Sequence, residues 1–316
     1  MVDARNEPVS KARQEILASL RKHGVAILPP MDVTYSLRLM ALARFQVAVT
    51  MLDPWYNKGV GGVRDDYNNH VTEILDLAAP LSDHVFLWGF PEIVARFVDR
   101  IPERLSLVAW LTWFYKNSPS VIRGWRSSQM ACLHMTAPEA RLFPENFLNE
   151  AQAKLKKEGK LRYMPGPTSV IEDSLLVGFV GKKEQTGHPA QKPASVFKKL
   201  LLMATEEGDV VLDPMSGAGT TGVAARETGR ASILADCSEE YTQIAEQRLG
   251  LERITIDEDL EALLSIEANG ESENADQQPM RLSFVPVFES CDLKEEILGG
   301  KSENPQNALF SLSSDD

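Results

Sequence analysis

Apolar positions alternate between two spacings along most of the chain. In VSKARQEILASLRKH (9–23), Ile16, Leu17 and Leu20 share one helical face, and Gly24 marks the stop. A second helix is expected over Tyr35–Arg44, and then FQVAVTML (45–52) is a β-branched, largely apolar run that halts at Asp53-Pro54, the signature of a buried parallel strand. VTEILDLAAPLS (71–82) is helical up to Pro80, HVFLWG (84–89) is a strand, PEIVARFVDRI (91–101) a helix opened by Pro91, and RLSLVAWLTWFYK (104–116) a strand. Trp88, Trp110 and Trp113 lie in these strands and are assigned to the core. Residues 137–180 are broken by Pro138, Pro144, Pro165 and Pro167 and hold one lysine-rich helix, EAQAKLKKEGK.

Alternation then resumes, with helix 195–205, strand 209–214, helix 220–229, strand 231–236 and helix 238–249, the last capped by Ser238. Strand–helix–strand alternation predicts an α/β fold with a mostly parallel sheet and crossover helices. Past Leu251 polar and acidic residues dominate, so 1–252 is expected to be the folded domain and 253–316 a weakly ordered tail. RLSFVPVF (281–288) is a candidate for a short docked strand.

Charge sharpens that division. The chain of 316 residues has a net charge of −12, which argues against nucleic-acid binding until its distribution is read. Residues 251–316 carry 16 acidic and 4 basic side chains, leaving positions 1–250 with 29 of each. A neutral body still accommodates a local basic groove, so DNA stays a permitted partner. Cys132, Cys237 and Cys291 lie far apart without a CxxC pair, so neither a zinc cluster nor a disulfide framework is expected. With no long apolar run and no apolar leader, the expected location is the cytoplasm, at the nucleoid, with no membrane partner.

Two turns carry the chemistry. VVLDPMSGAGTTGVAA passes from strand through a glycine turn into a helix, and Gly217, Gly219 and Gly222 satisfy the G-x-G-x-x-G spacing. Thr220 and Thr221 stand where they would cap the new helix, and the next strand ends at Asp236, placed to accept hydrogen bonds from ribose hydroxyls. This pattern serves NAD, FAD or an S-adenosyl group. Too little chain follows it for an oxidoreductase substrate domain, and Asp213 at the strand tip repels a pyrophosphate but suits a cationic, phosphate-free ligand.

The second turn is Asp53-Pro54-Trp55-Tyr56 at the end of strand 45–52. The exocyclic amine of a nucleobase is a poor nucleophile because its lone pair is delocalised into the ring. Methylating it requires acceptors for the amino hydrogens, so that nitrogen pyramidalises as it attacks. A carboxylate (Asp53) and the Pro54 carbonyl are two such acceptors, and Tyr56 offers a flat face to an extruded base.

In these residues the chain resembles the β-class DNA amino-methyltransferases, which modify adenine N6 or cytosine N4. The order DPWY (53–56), HPAQKP (188–193), LDPMSGAGTT (212–221) and the acidic strand end Asp236 matches that family over roughly 46–249. The resemblance implies a Rossmann-like fold with circularly permuted motif order, S-adenosylmethionine as cofactor and double-stranded DNA as partner. It assigns Asp53, Pro54 and Tyr56 to catalysis, and Asp213, Pro214, Met215, Gly217, Gly219, Thr220, Asp236 and Lys192 to the cofactor, while His188 receives no chemical role. An aspartate in the first catalytic position implies adenine N6 ahead of cytosine N4. Trp55 departs from the family's second proline, Met215 from its phenylalanine and Ala218 from its common serine. The segment before strand 45–52 reads as lacking the family's short aspartate-bearing turn.

DNA contacts are expected from the glycine-rich loop 57–70 with Arg64, from Arg123, Trp125 and Arg126 in RGWRSSQ, and from Lys156 and Lys157 within 137–180, the candidate recognition segment. Gln306-Asn307-Ala308-Leu309-Phe310 resembles peptides that dock on a sliding clamp. A homodimer is a further candidate assembly. The alternatives are a non-catalytic, methyltransferase-like DNA-binding protein and an NAD-dependent oxidoreductase. No nuclease or helicase motif stands out, so restriction would need a separate partner.

Overall fold

In the computed structural model the described residues are 7–57, 62–118, 124–257, 260, 264 and 280–284, all within one compact unit, Met1–Pro286. Helix α1 (Glu7–His23) ends at Gly24, followed by the short strand β1 (Val25–Ile27), α2 (Val33–Leu42) and β2 (Phe45–Leu52). Then come α3 (Tyr67–Ala78), β3 (Ser82–Gly89), α4 (Pro91–Val94), β4 (Ser106–Phe114), β5 (Gln129–Thr136), α5 (Glu150–Lys157) and β6 (Val170–Glu172). The second half continues with α6 (Ala194–Ala204), β7 (Val210–Asp213), α7 (Thr220–Glu227), β8 (Ala231–Leu234), α8 (Glu239–Leu249) and β9 (Met280–Arg281).

The strands form one sheet in the order β1-β8-β7-β2-β3-β5-β4-β6, with β9 beside the start of β2. All pair in parallel except β5, which runs antiparallel between β3 and β4. Side chains alternate across the pleat: Val85, Leu87, Val210 and Leu212 join the core under α1–α3, and Phe86, Trp88 and Val211 join that under α6 and α7. Each such fully buried side chain contributes roughly 1.5–3 kcal/mol. β7 lies directly against β2, with Val49 beside Val211 and Thr50 beside Leu212. Strands about 160 positions apart thus become neighbours, and their carboxyl ends, where open α/β sheets bind ligands, meet.

Several elements differ from the sequence reading. α2 begins at Val33 because the Asp32 carboxylate accepts from the Thr34 backbone N–H (2.8 Å) and caps it. α3 begins at Tyr67 rather than 71, since the Tyr67 hydroxyl donates to the Trp55 carbonyl (2.7 Å) and anchors the first turn. The helix expected over 91–101 is one α-turn followed by a 3-10 segment, Ala95–Arg100. Trp88 and Trp113 are buried, but Trp110 is 37% exposed, because the outer edge of β4 is paired by β6 only at Thr112–Phe114. The folded unit also passes the expected boundary at 252: the Ile254 amide donates to the Ile27 carbonyl, and Leu282 and Phe284 donate to Gln46 and Gly208. The docked strand read at 281–288 appears as β9, one residue earlier in its start, parallel to β2.

Candidate active site

A cavity of about 530 Å³ opens at the carboxyl ends of β2, β7 and β8. Its wall contains Asp53–Tyr56 after β2, Asp213–Ala218 after β7, Asp236–Ser238 after β8, and His188–Lys192 before α6. The two turns singled out in the sequence therefore share one chamber.

The loop after β7 is held from within. The Met215 amide donates to Asp213 (3.1 Å), Ser216 to the Ala235 carbonyl (2.9 Å), Gly217 to Asp236 (2.8 Å) and Gly219 to the Ser216 carbonyl (2.8 Å). A pyrophosphate site needs such amides free and pointing at the ligand; here protein acceptors occupy them. Gly219 sits in the left-handed region (φ +71°) at the start of α7, and a Cβ on it would lie 3.1 Å from Ala245. The threonines do not cap α7 as the sequence suggested. Thr221 donates to the buried Asp213 carboxylate and Thr220 to the Lys192 carbonyl (3.3 Å), tying the loop to its neighbours. Burial pushes the Asp213 carboxyl up to about 7, opposed by the bonds from Thr221 and Met215. Asp236 also accepts from the Ser238 amide (2.9 Å).

At the turn after β2, the buried Lys192 ammonium donates to Asp53 and to the Tyr56 hydroxyl (3.0 Å), and Tyr56 donates on to Asp53 (3.3 Å). Burial opposes the charge on Lys192, but the Asp53 carboxylate and the Tyr56 oxygen outweigh it and hold the ammonium above its ordinary range. Burial, reinforced by Asp53, likewise keeps Tyr56 protonated. Tyr56 packs at a tilt on Phe90, with centroids 4.8 Å apart. Trp55, in place of the second proline, lines the chamber and meets Tyr67 edge-on at 5.2 Å, so it braces the turn against α3.

Four carboxylates line the chamber: Asp32, Asp53, Asp213 and Asp236. Its two Lys/Arg side chains are engaged, Lys192 by Asp53 and Arg64 by a two-bonded pair with Asp66 (2.8 and 2.7 Å). That balance fits a cation and disfavours a phosphate.

A family model described as DNA methylase, covering N6- and N4-modifying enzymes, matches residues 62–247. The chain belongs to this family. Among curated relatives, the type II methyltransferase M.HpaI of Haemophilus parainfluenzae is 29% identical over 145 residues, 46% of this chain and 45% of that protein. M2.DpnII of Streptococcus pneumoniae is 47% identical over 68 residues, 22% of this chain and 25% of that protein. The chain thus spans less than half the length of these relatives. Among solved structures, the M1.HpyAVI–SAM complex aligns with a TM-score of 0.57 at 22% identity, covering 72% of this chain and all of that one. The cytosine-N4-specific PvuII DNA methyltransferase gives 0.51 at 17%, covering 78% and 93%. Both share the fold, an α/β methyltransferase sheet.

In this member of the family, every residue assigned from the sequence to catalysis or to the cofactor lines the chamber except Gly219, which forms the bend behind it. Lys192, assigned there to the cofactor, is bonded to Asp53 and Tyr56 of the first turn. The expectation that an aspartate-bearing turn is missing before β2 is overturned: Asp32 caps α2 and lines the chamber, and Asp-Val-Thr ahead of a helical pattern was the signal for it. His188 is a wall residue too, with Nδ1 accepting from the Ala190 amide (3.2 Å) and its ring edge-on to Tyr241. Arg248 was also missed; it donates to the Ala218 carbonyl (3.1 Å), Thr220 (2.9 Å) and Glu184 (3.1 Å), fastening the glycine loop from outside.

The expected DNA contacts are dispersed. Arg64 lies on the chamber rim, and Asn57 holds its backbone at both N–H (2.6 Å) and carbonyl (3.0 Å). Trp125 is 95% exposed and Arg126 is exposed beside it, whereas Arg123 lies outside the described residues. Lys156 and Lys157 are exposed on α5, with Lys156 3.9 Å from Glu145. Gln306–Phe310 also lies outside the described residues. No described helix is long and apolar enough to cross a membrane.

Proposed function

We propose that this chain transfers a methyl group from S-adenosylmethionine to the exocyclic amine of a base extruded from double-stranded DNA, adenine N6 ahead of cytosine N4. The observation that carries the reading is the shared chamber: Asp53 and the glycine loop after Asp213 stand on adjacent strand tips. The acidic lining and the internally satisfied loop amides support a sulfonium- and ammonium-bearing cofactor over a dinucleotide. Asp236 would hold its ribose, and Asp213, Pro214, Met215, Gly217, Gly219 and Thr220 would form the remaining cradle.

When bound, S-adenosylmethionine supplies an electrophilic methyl group. The protein's own contribution is to orient the amine and to take its proton. Asp53 and the Pro54 carbonyl accept the two amino hydrogens, which localises the lone pair on nitrogen. Once nitrogen gains its new bond, an Asp53 oxygen receives the displaced proton. Lys192 and Tyr56 hold the carboxylate through its two oxygens, so that it presents an acceptor without reorganising.

The test is transfer of labelled methyl groups to unmethylated plasmid DNA by the chain and by Asp53→Ala, with cofactor binding measured by calorimetry. The expected outcome is unchanged cofactor binding and at least about a hundredfold loss of transfer in the variant. Cofactor and DNA binding without Asp53-dependent transfer would favour a non-catalytic methyltransferase-like protein.

A further inference from the structure

All strands of the sheet but β5 point the same way, so the segments after β2, β4, β6 and β7 emerge on one edge. The segment after β6 starts four strands from β2, about 19 Å away at ordinary strand spacing. It crosses that edge and ends in His188–Lys192 at the chamber wall. Along the way it presents Phe179, which is 94% exposed, at the tip of a turn flanked by the exposed Val177 and Val180.

An aromatic ring so exposed normally folds back, but this turn is built to hold it out. The Gln185 side chain donates to the carbonyls on either side of Phe179, Gly178 (3.2 Å) and Val180 (2.6 Å). The Val180 amide donates to Val177 (3.1 Å), and the Glu184 and Gln185 amides donate to Gly181 (2.8 and 3.1 Å). At its base the turn is locked to the β4–β5 connection, where Asn117 donates to the Leu175 carbonyl and accepts from its amide, both at 2.8 Å. At its far end Gln191 accepts from Thr186 at both amide (2.9 Å) and hydroxyl (2.8 Å) and donates to the Glu184 carbonyl (2.8 Å). The next residue is Lys192, which grips Asp53. Lys182 and Lys183 follow the ring and pair with no carboxylate among the described residues.

We infer that Phe179 is the wedge that enters the base stack when the target base leaves it, with Lys182 and Lys183 on the adjoining phosphates. Extruding a base unstacks its neighbours, and an apolar ring slipped between base steps offsets that loss. A single ring with two small aliphatic neighbours is a narrow probe rather than a broad protein-docking face, and the two free cations match a phosphate backbone. The hydrogen-bonded run from Gln185 through Gln191 joins this probe to the residue that positions the acceptor.

The inference rests on the proposed methyl transfer to DNA, and its test separates the two. The sequence modified by the wild-type chain is first read from unmethylated plasmid DNA. Duplexes carrying that site are then prepared with a normal partner or an abasic position opposite the target, where extrusion costs little. Phe179→Ala is expected to lower transfer about tenfold or more on the normal duplex and less than about threefold on the abasic one, while Phe179→Leu retains most activity. Lys182→Ala/Lys183→Ala is expected to weaken binding to both duplexes alike and to flatten its salt dependence. Equal melting temperatures exclude misfolding as the cause.

An active wild type with Phe179→Ala equally active, or equally impaired on both duplexes, overturns the wedge and leaves the methyl-transfer reading standing. Phe179→Ala that changes the oligomeric state but not transfer reassigns the ring to a protein contact and also overturns it. A wild type that methylates no DNA defeats the underlying reading, and the wedge with it.

Discussion

Lys192 holds the carboxylate of Asp53 from 139 positions away in the chain, with its ammonium almost wholly shielded from solvent. A lysine so placed cannot be a free ligand for the cofactor. It restrains the carboxylate proposed to act on the amine. Lys192→Met is therefore expected to leave S-adenosylmethionine binding within about threefold while cutting methyl transfer about a hundredfold. Since Asp53 retains some solvent, the stability cost should be about 1–3 kcal/mol, less than for a fully buried widowed charge. Calorimetric titration, initial rates and urea melts check the three parts; a large loss of cofactor affinity would return Lys192 to the cofactor.

Asp213 gives cofactor binding a pH dependence. Its carboxyl, raised by burial to about 7, is partly protonated at neutrality, and a neighbouring cation favours its ionised form. Affinity for S-adenosylmethionine should rise between pH 6 and 8, by at most about tenfold per unit, with release of a proton. Asp213→Asn should abolish the slope. A flat wild-type profile in calorimetry at several pH values contradicts this.

The glycines of the turn are expected to fail in different ways. A Cβ on Gly222 would lie 2.8 Å from Leu234 and 2.9 Å from Leu249, so Gly222→Ala overpacks the seam between α7, β8 and α8. Its cost should be about 1–3 kcal/mol in urea unfolding, with cofactor affinity retained by the fraction still folded. Gly217 has φ +48°, and a Cβ there would press on the His188 ring at 3.0 Å. Gly217→Ala should lose cofactor affinity about tenfold or more with a smaller change in stability.

Acid should loosen the sheet at β3 and β5. His84 and His134 are buried side by side, their ring nitrogens 3.1 Å apart, and His84 also bonds the Arg141 carbonyl (3.1 Å). Burial lowers His84 to about 4, against that carbonyl bond, and His134 to about 3 with help from His84. Unfolded histidines titrate near 6.5, so between there and pH 4 the unfolded chain binds more protons. The contribution of the pair is complete above about pH 6.5 and declines as pH falls. Asp213 acts in the opposite sense, its raised carboxyl favouring the fold as pH falls toward 4. The comparison is therefore of melting temperatures at pH 7.5 and 5 for the wild type and for His84→Gln/His134→Gln. The wild type should fall further; equal falls refute the assignment.

The parts of the fold that bury their side chains on both faces were legible in the sequence. β2 is a largely apolar run, β3 and β7 carry the apolar stretches 85–88 and 210–212, and the glycine turn after β7 can be read from spacing. β1 and β6, at three residues each, are too short to show a period. β5 (QMACLHMT) mixes two buried polar residues, His134 and Thr136, into a core strand, so its pattern resembles neither a helix nor an alternating strand. Asp53, Asp213 and Asp236 were legible because each ends a strand. The Lys192–Asp53 bond was not, because it depends on which strands become neighbours. The Asn57–Arg64 clasp is likewise a product of tertiary approach, with nothing in NKGVGGVR to mark it.

The pairing of β2 with β7 has a consequence for synthesis. At roughly 5–20 residues per second, the ribosome delivers β7 about ten to thirty seconds after β2. For most of that interval the nascent polypeptide carries an oily strand that can pair with β3 on one side while its partner on the other side does not yet exist. Chaperone capture of this intermediate, and a dependence of soluble yield on translation speed through the middle of the message, follow from the permuted order of the strands.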